Sequence, residues 1–353
     1  MIAVAEAKPS YLDRTTAVRT PRLGFLGVGW IGRSRMEAIA RSGCAEIAAI
    51  ADPAKELVQQ AIETCGQCEL AEPQIASSLD ELLETDLDGV VIATPSALHA
   101  EQSIACLERG LAVFCQKPLA RNGNETRRVV ESARANDCLL SVDLSYRHLT
   151  GVKRIRDLLR QGTLGQVYAV ELAFHNAYGP DKAWFYDRKL SGGGCVIDLG
   201  IHLVDLALWA LDFPEVGRVT SRLFQNGKPL KGGIEDYASA RLDLNTGTTV
   251  QMACSWKLPA GCDAIISAAF YGSKGGAVLR NVTGSFFDFT ADHCVGTQRR
   301  SLASPPDEWQ GRAAVDWARR LACGMNFDCE VEHLVEVART LDHIYACDGG
   351  SAA

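Results

Sequence analysis

The sequence predicts an α/β protein, with a doubly wound parallel Rossmann sheet first and an α+β domain on a mostly antiparallel sheet second. Three observations carry this. The stretch Leu23 to Asp52 reads as apolar strand, glycine turn, helix, apolar strand and acid. Apolar strands then alternate with helices as far as about Asp143, the grammar of a parallel sheet. Beyond it, strand follows strand across short turns, which builds an antiparallel sheet.

Leu23 to Leu26 is a short apolar run, read as a strand buried on both faces. Gly27-Val28-Gly29-Trp30-Ile31-Gly32 turns it into a helix over Arg35 to Ser42, and Gly29 leaves the backbone open to a pyrophosphate. A second strand, Glu46 to Ala51, ends at Asp52, 20 residues beyond Gly32, where an acid can hold the adenosine ribose hydroxyls. A helix over Ala54 to Thr64 leads to an unpatterned crossover through Pro73. Ser78 then opens a short helix to Leu83, with Glu81 at capping-box spacing. Strands at Gly89 to Ala93, Leu111 to Cys115 and Leu139 to Val142 alternate with helices at Ala97 to Arg109 and Glu125 to Ala135.

The second domain opens with a helix over Val152 to Leu159 and a strand over Val167 to Phe174. A loop with Gly179-Pro180, Trp184 and Tyr186 precedes Ser191-Gly192-Gly193-Gly194 and a helix over Val196 to Leu211. Strands follow at Val219 to Phe224, Tyr237 to Leu244, Thr248 to Trp256, Ala264 to Tyr271 and Gly276 to Arg280. Helices at Asp307 to Cys323 and Glu332 to Ala346 close the chain. An open sheet needs cover on its free face, which is expected to be large and apolar and points to a homodimer or homotetramer.

The 353 residues suffice for two cores: an extension over 1–20, a dinucleotide-binding domain over 21–143 and a substrate-binding and oligomerisation domain over 144–353. A formal net charge of −7 with scattered basic residues argues against nucleic acid or an acidic membrane as partner. No apolar run approaches the ~18 residues of a spanning helix, and residues 1–20 lack the apolar centre of a signal peptide. A cytoplasmic protein is expected. The 13 cysteines sit mostly in apolar runs, and Cys65-Gly66-Gln67-Cys68 lacks the second pair of a structural zinc site, so no metal is expected.

Two places carry chemistry. Lys117 follows a buried strand on the ligand edge of the sheet, and Pro118 restricts its geometry. Beside a cationic nicotinamide its ammonium form would be disfavoured. The helix from Val196 is apolar nearly all round except for Asp198, His202 and Asp205, which fall at helical spacing on one stripe. Such a stripe should face a polar cavity, with Asp198 orienting His202 as a base. Other candidates stay open between two roles. His99 either touches the cofactor or caps its helix. Tyr146 and Arg147 meet substrate or link the domains, His175 and Asn176 reach substrate or water, and Trp184 stacks on a sugar or simply packs.

The chain from about Arg22 onwards resembles the glucose–fructose oxidoreductase, inositol dehydrogenase and rhizopine-catabolism (Gfo/Idh/MocA) family. The matching pieces are Gly27-x-Gly29-x-x-Gly32, Thr94-Pro95-Ser96-x-x-His99, Gln116-Lys117-Pro118, Tyr146-Arg147 and Gly193-Gly194-x-x-x-Asp198-x-Gly200-x-His202. The resemblance implies a Rossmann domain, a second domain with a large, mostly antiparallel open sheet used in oligomerisation, and NAD(P)-linked oxidation of sugars or polyols. It implies Lys117, Asp198 and His202 as catalytic residues. Gly27, Gly29, Trp30, Ile31, Gly32, Asp52, Thr94, Pro95, His99, Gln116 and Lys117 are the expected cofactor residues, with NAD preferred over NADP because Asp52 repels a 2′-phosphate. Lys117, Arg147, His175, Asn176, Trp184, Asp198 and His202 are the expected substrate residues. The family's usual glutamate before the lysine is here Gln116. The expectation is a dehydrogenase for a secondary alcohol of a cyclic polyol or sugar, with Lys117 or His202 as the proximal base. A sugar-nucleotide or aminosugar dehydrogenase and a non-catalytic dinucleotide-binding regulator are the alternatives.

Overall fold

β1 (Arg22–Leu26), solvent-free over most of its length, is a central strand of a six-stranded parallel sheet. The structure, a computed structural model, describes residues 20–348 and 351–352, so the expected extension lies outside the described residues apart from Thr20. After β1 come α1 (Trp30–Ser42), β2 (Glu46–Ala51), α2 (Lys55–Gln67), β3 (Gln74–Ala76), α3 (Leu79–Leu83) and β4 (Gly89–Ile92). Then follow α4 (Ser96–Glu108), β5 (Ala112–Cys115), α5 (Gly123–Ala135) and β6 (Leu140–Val142). The strand order is β3-β2-β1-β4-β5-β6. The chain winds outward from β1 on one side and returns on the other, so the loops after β1 and β4 part to leave a crevice at the carboxyl edge. β3 occupies the end of the crossover that had no pattern, because three residues are too few to show a period. Ser78 does cap α3, accepting from the Glu81 amide at 3.2 Å. Glu81 returns its carboxylate to the Ser77 amide at 2.7 Å, one residue away from the expected partner.

The second domain comprises α6 (Thr150–Arg160), β7 (Val167–Asn176), α7 (Arg188–Ser191), α8 (Ile201–Ala210), β8 (Val216–Gln225) and β9 (Lys228–Pro229). It continues with β10 (Tyr237–Leu244), β11 (Thr249–Ser255), β12 (Ala264–Gly272), β13 (Gly276–Asn281), β14 (Phe289–Val295) and β15 (Gln298–Ala303). The last elements are α9 (Arg312–Ala322), α10 (His333–Ala346) and β16 (Ser351–Ala352). The ten-stranded sheet runs β15-β14-β13-β12-β7-β11-β10-β8-β16, with β9 beside β8. Its pairs are antiparallel except β7 with β11, which no hairpin joins. β14 and β15 escape sequence reading because the edge strand β15 carries Arg299 and Arg300 and is largely exposed, with no apolar alternation to betray it.

Val170, Leu172 and Phe174 of β7 face the helices, and α8 is buried along its whole length. The segment Arg188–Ala210 is in fact long and apolar enough to cross a membrane, at mean hydropathy 1.5, against the expectation that no run was. Its apolarity is spent inside the protein, where 94% of the most apolar window is buried. The free face of the sheet also departs from expectation. Glu171, Arg222, Arg241, Gln251, Ser267 and Arg280 share it with Ala173, Ala253, Ala269, Tyr271 and Val278, so the face is mixed rather than uniformly apolar.

α9 does not stay with its own domain. Trp317 is fully buried in the core of the first sheet, 5.7 Å from the Phe114 ring, in a cluster with Leu23, Phe25 and Met36. A second tie lies within the first domain, where Arg35 of α1 meets Asp143 at 2.6 Å with side chains 7% and 1% exposed. Removing the guanidinium strands a buried carboxylate: Arg35 holds its Oδ2, and its Oδ1 has no hydrogen-bond partner among the described residues. Arg35→Met is expected to cost about 3–5 kcal/mol of folding free energy in urea titrations. A cost below about 1 kcal/mol, the range of a solvent-exposed pair, would contradict that account.

Candidate functional site

Where β1 ends, the chain must turn sharply under a helix, and three glycines solve separate parts of that problem. Gly27 has φ +85°, and a Cβ on it would stand 2.7 Å from the Ala93 carbonyl oxygen. A Cβ on Gly32 would stand 2.0 Å from the Gly27 oxygen, so α1 packs directly on the turn. Gly29 differs, since a Cβ there meets nothing within 4 Å and would project into open space. α1 starts at this point with no side-chain cap, leaving first-turn amides for an anion. This cradle opens into a cavity of about 1080 Å³ between the domains.

Gly27, Gly29, Trp30, Ile31, Gly32, Asp52, Thr94, Pro95, Gln116 and Lys117 all line that cavity. Trp30 stands 65% exposed at its rim. Asp52 is fixed at both oxygens, accepting from the Val28 and Ala54 amides at 2.9 Å each. Gln116 folds its side-chain oxygen onto the Lys117 amide at 2.9 Å. His99 lines the cavity too, and its ring is fixed there: buried in α4, its ring nitrogens lie 2.7 Å from the Pro118 and Thr94 carbonyl oxygens. It ties the loop after β4 to the loop after β5. Burial pushes its imidazole below the usual range, against the pull of the two carbonyls.

The cis Lys117-Pro118 peptide ends β5's loop, and the Lys117 ammonium reaches across the junction. It donates to Asp198 Oδ1 and to the Asp198 carbonyl oxygen, both at 2.7 Å. Asp198 Oδ2 accepts from the Trp256 indole N–H at 3.0 Å. Asp198 therefore does not orient His202. Val196–Gly200 form a π-helical turn, whose i→i+5 bonding breaks the α-helical register on which the sequence stripe was drawn. His202 lines the cleft against Tyr146, ring centroids 4.8 Å apart, and its buried Nδ1 has no partner among the described residues. Burial first, and the Lys117 charge second, hold its imidazole well below the usual range, so it is neutral.

The glycines ahead of this turn are required by packing, and Gly193 also lines the cavity. A Cβ on Gly194 would sit 2.0 Å from the Glu235 carbonyl oxygen, and one on Gly193 2.0 Å from the Tyr345 hydroxyl. Glu235, 1% exposed, accepts from the Gly194 amide at 2.8 Å, the Val196 amide at 3.0 Å and Tyr345 at 2.7 Å. Burial raises its carboxyl above the usual range. Neither Glu235 nor Trp256 carries a sequence signal, because the groups each one holds lie 39 residues or more away along the chain.

Of the other expected substrate residues, Trp184 lines the cavity and three do not. Arg147 is committed to Asp205 in a buried ion pair that includes its Nε at 2.8 Å, so Asp205 also leaves the expected stripe. His175 follows Phe174 on β7 and so points to the opposite face of the sheet, bonded to Ser255 at 2.8 Å and stacked on Tyr237. Phe174, not His175, is the β7 side chain near His202, at 6.0 Å. Asn176 lies outside the cavity as well, with its Oδ1 buried.

A glycine cradle facing a lysine–aspartate pair and a neutral histidine across a domain junction defines a two-domain, dinucleotide-binding oxidoreductase. Residues 21–144 match the oxidoreductase family with an NAD-binding Rossmann fold, and residues 152–278 match the Gfo/Idh/MocA C-terminal domain. The chain belongs to the Gfo/Idh/MocA family. The rhizopine catabolism protein MocA of Rhizobium meliloti is 30% identical over 264 residues, 73% of this chain and 78% of that protein. The D-glucoside 3-dehydrogenase of Escherichia coli is 28% identical over 211 residues, 56% of this chain and 60%, under two thirds, of that enzyme. In fold, the chain superposes on levoglucosan dehydrogenase in complex with NADH and levoglucosan at TM-score 0.79, with 19% identity and 95% and 99% of the two chains covered.

The histidines set an acid limit on stability. Unfolded, a histidine titrates near 6.5, whereas burial and then Lys153 push His148 down to about 4, and His202 lies well below 6.5. The folded state refuses protons that the unfolded chain accepts. Stability is thus complete above pH 6.5 and is lost as pH falls towards 4. Thermal scans should show a level Tm above that window and a falling one within it, less steeply so in His148→Asn. A level Tm throughout the window would contradict the assignment.

Proposed function

We propose that the protein is an NAD-dependent oxidoreductase that converts a secondary alcohol of a sugar or cyclic polyol to the ketone. The observation that carries this is the Lys117–Asp198 pair, 2.7 Å long, facing the same cavity as the open glycine cradle. The cradle fits a dinucleotide: Gly29 leaves the space, the α1 amides would hold its pyrophosphate, and Asp52 would hold a ribose. When bound, the nicotinamide supplies the two-electron acceptor for the carbinol C–H bond. Lys117, held by Asp198, donates to the substrate oxygen and stabilises negative charge as the hydroxyl proton leaves. His202, kept neutral, takes that proton at a ring nitrogen, and Trp256 holds the far oxygen of Asp198 so that the pair keeps its orientation. The relatives named as sugar-acting enzymes support the substrate class, and a homodimer or homotetramer built on the mixed free face of the sheet belongs to the same reading.

Lys117→Met should lower kcat by at least ~10²-fold, while NADH affinity by fluorescence titration stays within a few-fold. Near-normal turnover would remove Lys117 from the mechanism.

NAD should be preferred to NADP. Both Asp52 oxygens are tied to backbone amides, so the carboxylate cannot swing away from a 2′-phosphate, and the guanidinium of Arg33, which also lines the cavity, is engaged by Gln60. Asp52→Ala should weaken NAD binding about tenfold, roughly one good charge-assisted hydrogen-bonding interaction, and narrow the preference. An NADP preference in the unaltered enzyme would refute this.

A further inference from the structure

We propose that the sugar ring enters this cleft as a glycoside, its planar apolar aglycone held between two aromatic lips at the mouth. The inference rests on the oxidoreductase reading for the ring and goes beyond it for what the ring carries.

The polar floor of the cleft is smaller than the sequence led one to expect. With Arg147, His175 and Asn176 turned elsewhere, Lys117, Asp198 and His202 remain of the expected polar substrate groups. Around them the second domain contributes aromatic side chains. One lip carries Trp184 and Phe185, stacked with centroids 3.8 Å apart, and the other carries Phe286 and Phe287. Phe287 is 48% exposed, with no core to join.

Neither lip is a loose loop. In the first, the Tyr186 hydroxyl donates to the Pro180 carbonyl at 3.0 Å and the Phe185 amide to the Lys182 carbonyl at 3.2 Å. In the second, Ser285 Oγ accepts from the Phe287 amide at 3.1 Å, and the Trp309 indole donates to the Phe287 carbonyl at 2.9 Å. Each lip is also wired to the floor. Phe185 lies edge-on to Trp256, 6.3 Å away, and Trp256 holds Asp198. Trp309 packs on Tyr146 at 5.2 Å, and Tyr146 on His202 at 4.8 Å. Rings fixed in advance at a cavity mouth bind without the cost of ordering them.

The chemistry of the occupant follows from what the lips lack. A free hexose or inositol satisfies the three floor groups and leaves the rings in water. A second sugar can lay one C–H face on a ring, but its hydroxyls find few partners on the ring faces. A diphosphate would need several converging cations, whereas the first lip offers Lys182, beside Asp181 at 3.2 Å, and Lys257, spread over the Tyr186 ring. A planar apolar group stacks on the rings and asks for neither.

The test is calorimetric binding to the full chain saturated with NADH, using phenyl and methyl glycosides of glucose, galactose, mannose and xylose, with cellobiose and UDP-glucose alongside. The expected result is a phenyl glycoside bound at least about tenfold more tightly than its methyl counterpart, as one stacked aromatic ring gives. Phe287→Ala should shrink that ratio about fivefold and Phe287→Trp should restore it. Equal phenyl and methyl affinities, no phenyl glycoside bound, an unchanged ratio in Phe287→Ala, or tighter binding of cellobiose or UDP-glucose would each overturn the inference. The two readings separate cleanly. A phenyl preference without NADH formation from any sugar or polyol would overturn the dehydrogenase reading alone. Turnover with equal affinities would overturn the aglycone site alone.

Discussion

The ion pair between Lys117 and Asp198 is the contact on which the site depends, because its two members come from different domains. Lys117 is placed by the end of β5 in the parallel sheet, and Asp198 by the π turn ahead of α8. Their side chains are only 18% and 16% exposed, so the pair is partly stripped of water and each charge needs the other. Such a pair adds little net stability, since desolvation offsets its attraction. What it does is fix where a positive charge sits relative to the glycine cradle. Everything around it serves that placement: Gln116 on the Lys117 amide, Trp256 on the far carboxylate oxygen, and Glu235 on the amides that begin the turn.

The parts of this arrangement that are local in sequence were legible there. The glycine turn, Asp52 and the alternation of strands and helices are each set by neighbours within about thirty residues, and the Rossmann order follows from them. Lys117 was found because it closes an apolar strand, and Asp198 and His202 because charge on an apolar helix is conspicuous. Their mutual geometry was not legible. A single π turn has no composition of its own, and it moves Asp198 off the face it would share with His202 in an α-helix. His175 was misplaced for a simpler reason: a strand end gives two opposite directions, and only the register of β7 against β11 and β12 decides between them.

Gln116 shows how a departure from a family pattern can be absorbed. A glutamate at this position would put a second carboxylate beside Lys117, in competition with Asp198. The carboxamide uses its oxygen on the lysine's own backbone amide and leaves the ammonium to one carboxylate. The Lys117 ammonium then answers to one carboxylate, Asp198, at the floor of the cleft.

The burial of Trp317 among Phe25, Met36 and Phe114 bears on how the chain matures. A ribosome delivers the six strands of the first sheet long before α9. Until α9 emerges, the part of one face around Phe114 lacks its cover, although α1 and α2 already pack over the rest, and the first domain cannot finish its core as an independent unit. The nascent chain must carry this apolar face through the synthesis of the entire second sheet. That interval is when the polypeptide most needs a chaperone, and a chain that ended before α9 would expose the same face permanently to aggregation.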